Sequence, residues 1–219
     1  MQINPILSHS ATKQVQTINA SLLKMLDIFE TDAQIVVIER AREHEIESYL
    51  QTAAHHMGEG FRVSLKAGEA FPQTLLPDLP GRAIFAGELE YLTQVYTDLL
   101  GCKAVGLRLE VISQAMCPRF HVDHTGIRLL CTYRGPGTEW LEDGYADRSK
   151  LGPASAGICD EESGIIQNVA GIYKVPLFAI ALLKGSRWQG NTGLGIIHRS
   201  PQVPTETKPR VLLALDALW

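Results

Sequence analysis

Apolar residues along this chain change their spacing partway through, and the change divides it. In the first half Val15, Ile18, Leu22, Leu26 and Phe29 recur at helical intervals, which predicts an amphipathic helix over 12–29. The β-branched run Ile35-Val36-Val37-Ile38 reads as a buried strand. Ile46, Tyr49, Leu50, Ala53 and Ala54 form a second helical stripe, with Glu43, Glu45 and Glu47 outside it. Pro72, Pro77 and Pro80 then interrupt any helix. Leu89, Leu92, Tyr96 and Leu99 mark a third helix that ends near Gly101.

From residue 103 the period becomes two. Val105, Leu107, Leu109 and Val111 alternate with Gly106, Arg108 and Glu110, the pattern of a half-buried strand. Further strands are predicted at 127–133, 175–183 and 210–215, with Gly and Pro clustered between them. The polar segment 139–164 has no period and reads as a long loop. The expected fold is therefore α+β. Residues 1–102 would be mainly helical with one strand, packed on a 103–219 core of sandwich or jelly-roll type, the whole forming one compact unit.

Composition narrows the function without naming it. The 219 residues carry 20 Lys+Arg against 24 Asp+Glu, a formal net charge of −4, and 45% are hydrophobic. Disorder is excluded by that apolar content, and a nucleic-acid grip is disfavoured by the absence of a basic block. The acidic stretch 160–162, near the expected entrance to the core, would repel phosphates. No apolar run is long enough to span a bilayer and no secretory pattern opens the chain, so a cytoplasmic location is expected. Cys102, Cys117, Cys131 and Cys159 lack paired spacing and read as small buried hydrophobes. The Asn-Ala-Ser sequon at 19–21 reads as chance, and His9 as part of a terminal arm.

Candidate chemistry lies at residues 117–140. His121 and Asp123 are two apart, so on an extended segment both side chains point the same way and converge on one ion. His198, at the end of Leu194-Gly195-Ile196-Ile197, is the candidate third ligand. Two imidazoles and a carboxylate form the facial triad of non-haem Fe(II) oxygenases. Arg210 opens the last strand and offers a guanidinium to a carboxylate, with Arg199 as a rival. Tyr133 reads equally as a hydrogen-bond donor to an oxoacid or as core packing. Trp140 and Trp188 are candidates to roof a substrate pocket. Arg199 and His124 are further candidates to line it, although on a strand His124 would face away from Asp123.

The ordered set His-x-Asp, distal His and Arg resembles the double-stranded β-helix oxygenases that use Fe(II) and 2-oxoglutarate, over 105–219. That resemblance implies His121, Asp123 and His198 as metal ligands and Arg210 as the cosubstrate clamp. It also implies oxidation of an unidentified small-molecule or protein substrate. More narrowly, FHVDH, CTYRGPGTEWL and HRSP together resemble the bacterial family called domain of unknown function 1826, over most of the chain. That family's association with zinc-homeostasis genes implies an alternative: a Zn²⁺-binding jelly roll acting as sensor, store or accessory protein without oxygenase activity.

Overall fold

A computed structural model describes residues 13–17, 22–152 and 157–219, the first of these segments as backbone only. His9 and the sequon at 19–21 lie outside the described residues, as do the side chains of Val15 and Ile18. Within the described residues the order is β1 (Lys13–Thr17), a 3₁₀ helix (Leu22–Phe29), β2 (Ala33–Ile38), α1 (His44–Ala53), β3 (Gly60–Lys66) and α2 (Arg82–Leu100). Then come β4 (Ala104–Ile112), β5 (Ile127–Arg134), β6 (Glu139–Leu141), α3 (Asp160–Ser163), β7 (Ile172–Lys174), β8 (Ile180–Lys184), β9 (Ile197–Arg199) and β10 (Arg210–Leu218).

Seven strands form the main sheet in the order β1-β2-β8-β5-β10-β4-β3, antiparallel except for the β1–β2 pair. Three more, β7-β6-β9, form a small antiparallel sheet. The strand period explains how one sheet serves two cores. Val105, Leu107 and Leu109 of β4, Leu129 and Cys131 of β5, and Val211, Leu213 and Leu215 of β10 pack with Ile46 and Leu50 of α1 and Phe85 and Leu89 of α2. Leu130, Leu212 and Ala214, one residue out of step, join a second cluster with Trp140, Val175 and Ile196 on the small-sheet side. α2 stops at Gly101, whose φ of 65° lets the amide cap Thr97 where a side-chain-bearing residue would be strained.

Several expectations need correcting. Among the described residues, 1–102 hold three strands, not one, and β1, β2 and β3 are part of the main sheet, with β2 hydrogen-bonded to β8 and β3 to β4, rather than packed on a separate core. The segment 139–164, expected as a loop, opens with β6 and contains α3. The helix over 12–29 is instead a strand, Lys13–Thr17, paired with β2, and a separate 3₁₀ helix from Leu22. Leu23, Leu26 and Phe29 remain well exposed on that short helix, so the apolar spacing is helical but not wholly buried. The apolar run 175–183 becomes strand only from Ile180, because Val175 to Ala179 turn between the two sheets. The four cysteines divide: Cys102 and Cys131 are buried, Cys117 and Cys159 exposed.

Candidate metal centre

His198 lies on β9, and His121 meets it in an isolated antiparallel bridge. The two residues exchange backbone hydrogen bonds, His121 N to His198 O at 3.0 Å and His198 N to His121 O at 2.9 Å. Their rings are 4.5 Å apart. Each Nδ1 lies against a backbone carbonyl, of Arg119 at 2.8 Å for His121 and of Ile196 at 3.1 Å for His198. Donating there makes Nδ1 the protonated nitrogen in both rings and leaves each Nε2 lone pair free.

Both Nε2 atoms face Asp123, at 3.7 Å from Oδ1 for His121 and 3.4 Å from Oδ2 for His198. One ligand atom from each of the three residues lies within 4.8 Å of the others. Asp123 is brought in by a loop that packs on Gly185, where a Cβ would stand 2.8 Å from the Asp123 carbonyl and 2.4 Å from that of Thr125. A residue with a side chain at 185 would push this ligand away.

The electrostatics suit a cation. Burial alone would raise the Asp123 carboxyl, but in the metal-free chain the hydrogen bond and charge of a protonated His198, with the charges of Arg128 and of a protonated His121, outweigh it and hold it well below the usual carboxylate range; a cation on the two Nε2 atoms would replace those protons. Burial, and then the neighbouring His198, lower His121, which favours the neutral ring a metal needs.

Arg210 lines the same cleft, of about 120 Å³, with Leu130, Leu212 and Ala214. It is 1% exposed. Its guanidinium donates to Pro136 O (2.7 Å), Ser200 Oγ (3.3 Å), Thr132 Oγ1 (3.3 Å) and Thr138 Oγ1 (3.1 Å), all neutral acceptors. Among the described residues no carboxylate reaches ion-pair distance of it. Burial pushes its pKa down to about 10, partly offset by Glu110. A larger groove of about 680 Å³ adjoins the cleft and shares Glu110, Ile112 and Met116 with it.

Tyr133, Trp140, Trp188 and His124 lie elsewhere. Tyr133 points to the helix side of the main sheet, edge-on to Phe85 and Phe178, with its hydroxyl donating to Glu88 at 3.0 Å. Of its two sequence readings, core packing is the one its position matches, because odd-numbered residues of β5 face the helices. Trp140 is buried between the sheets and stacked on Tyr173 at 4.4 Å. Trp188 packs near Phe29, 5.8 Å between rings. His124 is exposed and bonded to Ser186.

Arg199 borders the cleft but is held by Glu139, Asp160 and Glu161, with its guanidinium 4.3 Å from the Phe120 ring centre. Asp160 is buried rather than part of a repelling acidic surface. Its carboxylate takes both the Phe120 amide (2.7 Å) and Arg199 (3.0 Å), tying together the neighbours of the two histidines.

Sequence reasoning passed over Arg128, which donates to Asp123 and to Asp216. Alternation alone puts Arg128 on one face of β5 with Leu130 and Thr132, but that this face meets Arg210 is fixed only by pairing with β10.

Residues 19–216 match the family described as "Protein of unknown function (DUF1826)", and the chain belongs to that family. Sequence comparison with curated proteins finds no match. Among solved structures, the chain is similar to a rice dioxygenase for auxin oxidation at 14% identity and a TM-score of 0.44, covering 90% of this chain and 77% of that one. It is also similar to a full-length Neurospora crassa protein in complex with alpha-KG (12%, TM-score 0.47, covering 90% and 77%). A Pseudomonas putida prolyl-4-hydroxylase matches at 10% and a TM-score of 0.46, covering 96% and 98%. Among the described residues, no helix is long and apolar enough to cross a membrane.

Proposed function

We propose that this member of the DUF1826 family is a non-haem Fe(II), 2-oxoglutarate-dependent oxygenase built on a variant double-stranded β-helix. His121, Asp123 and His198 hold the metal, and Arg210 binds the far carboxylate of the cosubstrate. Two imidazoles with free Nε2 atoms and one ionised carboxylate fit Fe(II) as a donor set. The observation that carries the reading is Arg210, a buried guanidinium in the cleft of the triad with only neutral partners. Such a group is costly to bury unless an anion completes it.

When bound, Fe(II) and 2-oxoglutarate supply the oxygen activation and hydrogen abstraction. The chain's part is to bind, orient and keep water out. Arg210 presents its charge and a remaining N–H to a carboxylate, with its orientation fixed by Pro136, Thr132, Thr138 and Ser200, which take four of its five N–H groups. Leu130, Leu212 and Ala214 give the small cleft an apolar lining suited to the carbon chain of a short dicarboxylate. The substrate, a small molecule or a protein segment, reaches the metal from the larger groove past Glu110, Ile112 and Met116.

A Zn²⁺ protein without oxygenase activity is the second reading, favoured by the fact that the same donors suit Zn²⁺ equally. It gives Arg210 no anion to bind. Anaerobic titration with Fe(II) and 2-oxoglutarate, followed by absorbance, separates the two. The first reading expects a metal-to-ligand charge-transfer band in wild type. In Arg210→Met it expects retained metal but 2-oxoglutarate binding weakened by at least about 2 kcal/mol, roughly 30-fold. Metal occupancy with no band in wild type overturns it and leaves the zinc reading.

A further inference from the structure

We propose that Arg128 is a positioning residue for the metal centre: braced by Asp216, it fixes the Asp123 carboxylate so that one oxygen is left to the ion. This rests on the assignment of His121, Asp123 and His198 as metal ligands, and is independent of any oxygenase activity.

The three ligands are not held alike. Both histidines are locked twice, through the backbone bridge and through Nδ1. Asp123 sits outside any ladder, and its backbone carbonyl, not its side chain, accepts from Ser186. A carboxylate in that position turns about its side-chain bonds unless something holds it.

Arg128 supplies the hold. It pairs directly across the ladder with Asp216 of β10, so strand register places the two side chains together. Nε and one terminal nitrogen donate to the two oxygens of Asp216 at 2.8 and 3.0 Å, a two-point clasp. The other terminal nitrogen donates to Asp123 Oδ2. Asp216 is steadied in turn by Arg108 at 3.2 Å. A fork held at two points on one side has little freedom at its third. Asp123 Oδ2 is thereby committed, while Oδ1 faces the His121 Nε2 without a guanidinium on it. Lysine at 128 would keep the charge but could not clasp Asp216 at two points and reach Asp123 together.

The test is a Co²⁺ titration of the whole chain followed by visible absorption, with thermal melts of each metal-free variant as a check on folding. Arg128→Met is expected to bind about 10–100-fold more weakly, the usual cost of losing an outer partner of a metal ligand. Its d–d spectrum should also differ from wild type, because a freed carboxylate presents both oxygens. Arg128→Lys should resemble Arg128→Met. Asp216→Asn, which leaves both Asp123 and Arg128 in place, should weaken binding by an intermediate factor and serves if Arg128→Met does not fold. Wild-type affinity and spectrum in Arg128→Met overturn the proposal, as does tighter binding, which would mean that the charge opposes the ion. Full recovery in Arg128→Lys reduces the role to charge and overturns the positioning. Failure of wild type to bind Co²⁺ removes the metal centre itself.

Discussion

On β5, Ile127, Leu129, Cys131 and Tyr133 face the helices, whereas Arg128, Leu130 and Thr132 face the small sheet. β10 divides in the same way, with Val211, Leu213 and Leu215 on one side and Arg210, Leu212 and Ala214 on the other. The helix side is mostly apolar, with an Arg40–Glu88 ion pair at its edge that meets the Tyr133 hydroxyl and the Cys131 thiol. Burial there pushes the Cys131 thiol up to about 12 and raises Tyr133 well above its usual range, so both stay neutral. The cleft side carries Arg210 and the ion-paired Arg128 and Asp216. A one-residue step along one strand thus separates stability from chemistry, and the alternation lets each be optimised with little cost to the other.

That separation can be attacked from either face. The largest effect is expected from His121→Ala, which removes a ligand itself. Co²⁺ affinity, measured by titration, should fall by more than the roughly 10–100-fold lost with an outer partner, while the thermal midpoint stays near wild type. Leu129→Ala, on the helix side, should do the reverse. It opens a cavity at a fully buried position and costs about 2–5 kcal/mol in urea unfolding, with metal affinity of the folded protein unchanged. If affinity falls with stability, the two faces are coupled.

Tyr133→Phe is a smaller and sharper test. It deletes the hydroxyl bond to Glu88 and should cost about 1 kcal/mol, with no change in binding of metal or 2-oxoglutarate. A selective loss of 2-oxoglutarate binding would place Tyr133 in the site after all. The smallest effect is on pH. His121 has its folded pKa lowered by burial and then by His198, so below the unfolded value of about 6.5 the unfolded chain takes up more protons. Metal-free protein should therefore lose stability as pH falls through that range, and His121→Ala should flatten the slope.

How much of this was legible in the residues depends on range. The two-residue spacing of His121 and Asp123 carries its own geometry, because extended backbone puts i and i+2 on one side. The strand beginning at Arg210 was visible from its apolar run. Tyr133 was left open because its face can be assigned only when the cleft side of β5 is known, and that is fixed by pairing with β10 and β8. Arg128 was missed for the same reason, since its partner Asp216 lies 88 residues away. The helix expected over 12–29 failed because a strand partner overrode local spacing: residues 13–17 pair with β2. Asp160 looked like a solvated charge because nothing local shows that it meets the Phe120 amide and Arg199.

The backbone bridge between His121 and His198 joins segments 77 positions apart in the chain. An ion seated on their Nε2 atoms would act as a staple across that long loop, present only in the folded chain. By mass action, free metal at a hundred times its dissociation constant would add about 2.7 kcal/mol to folding. Metal supply would then set how long the small sheet stays closed, and chelation would loosen the protein first at β9.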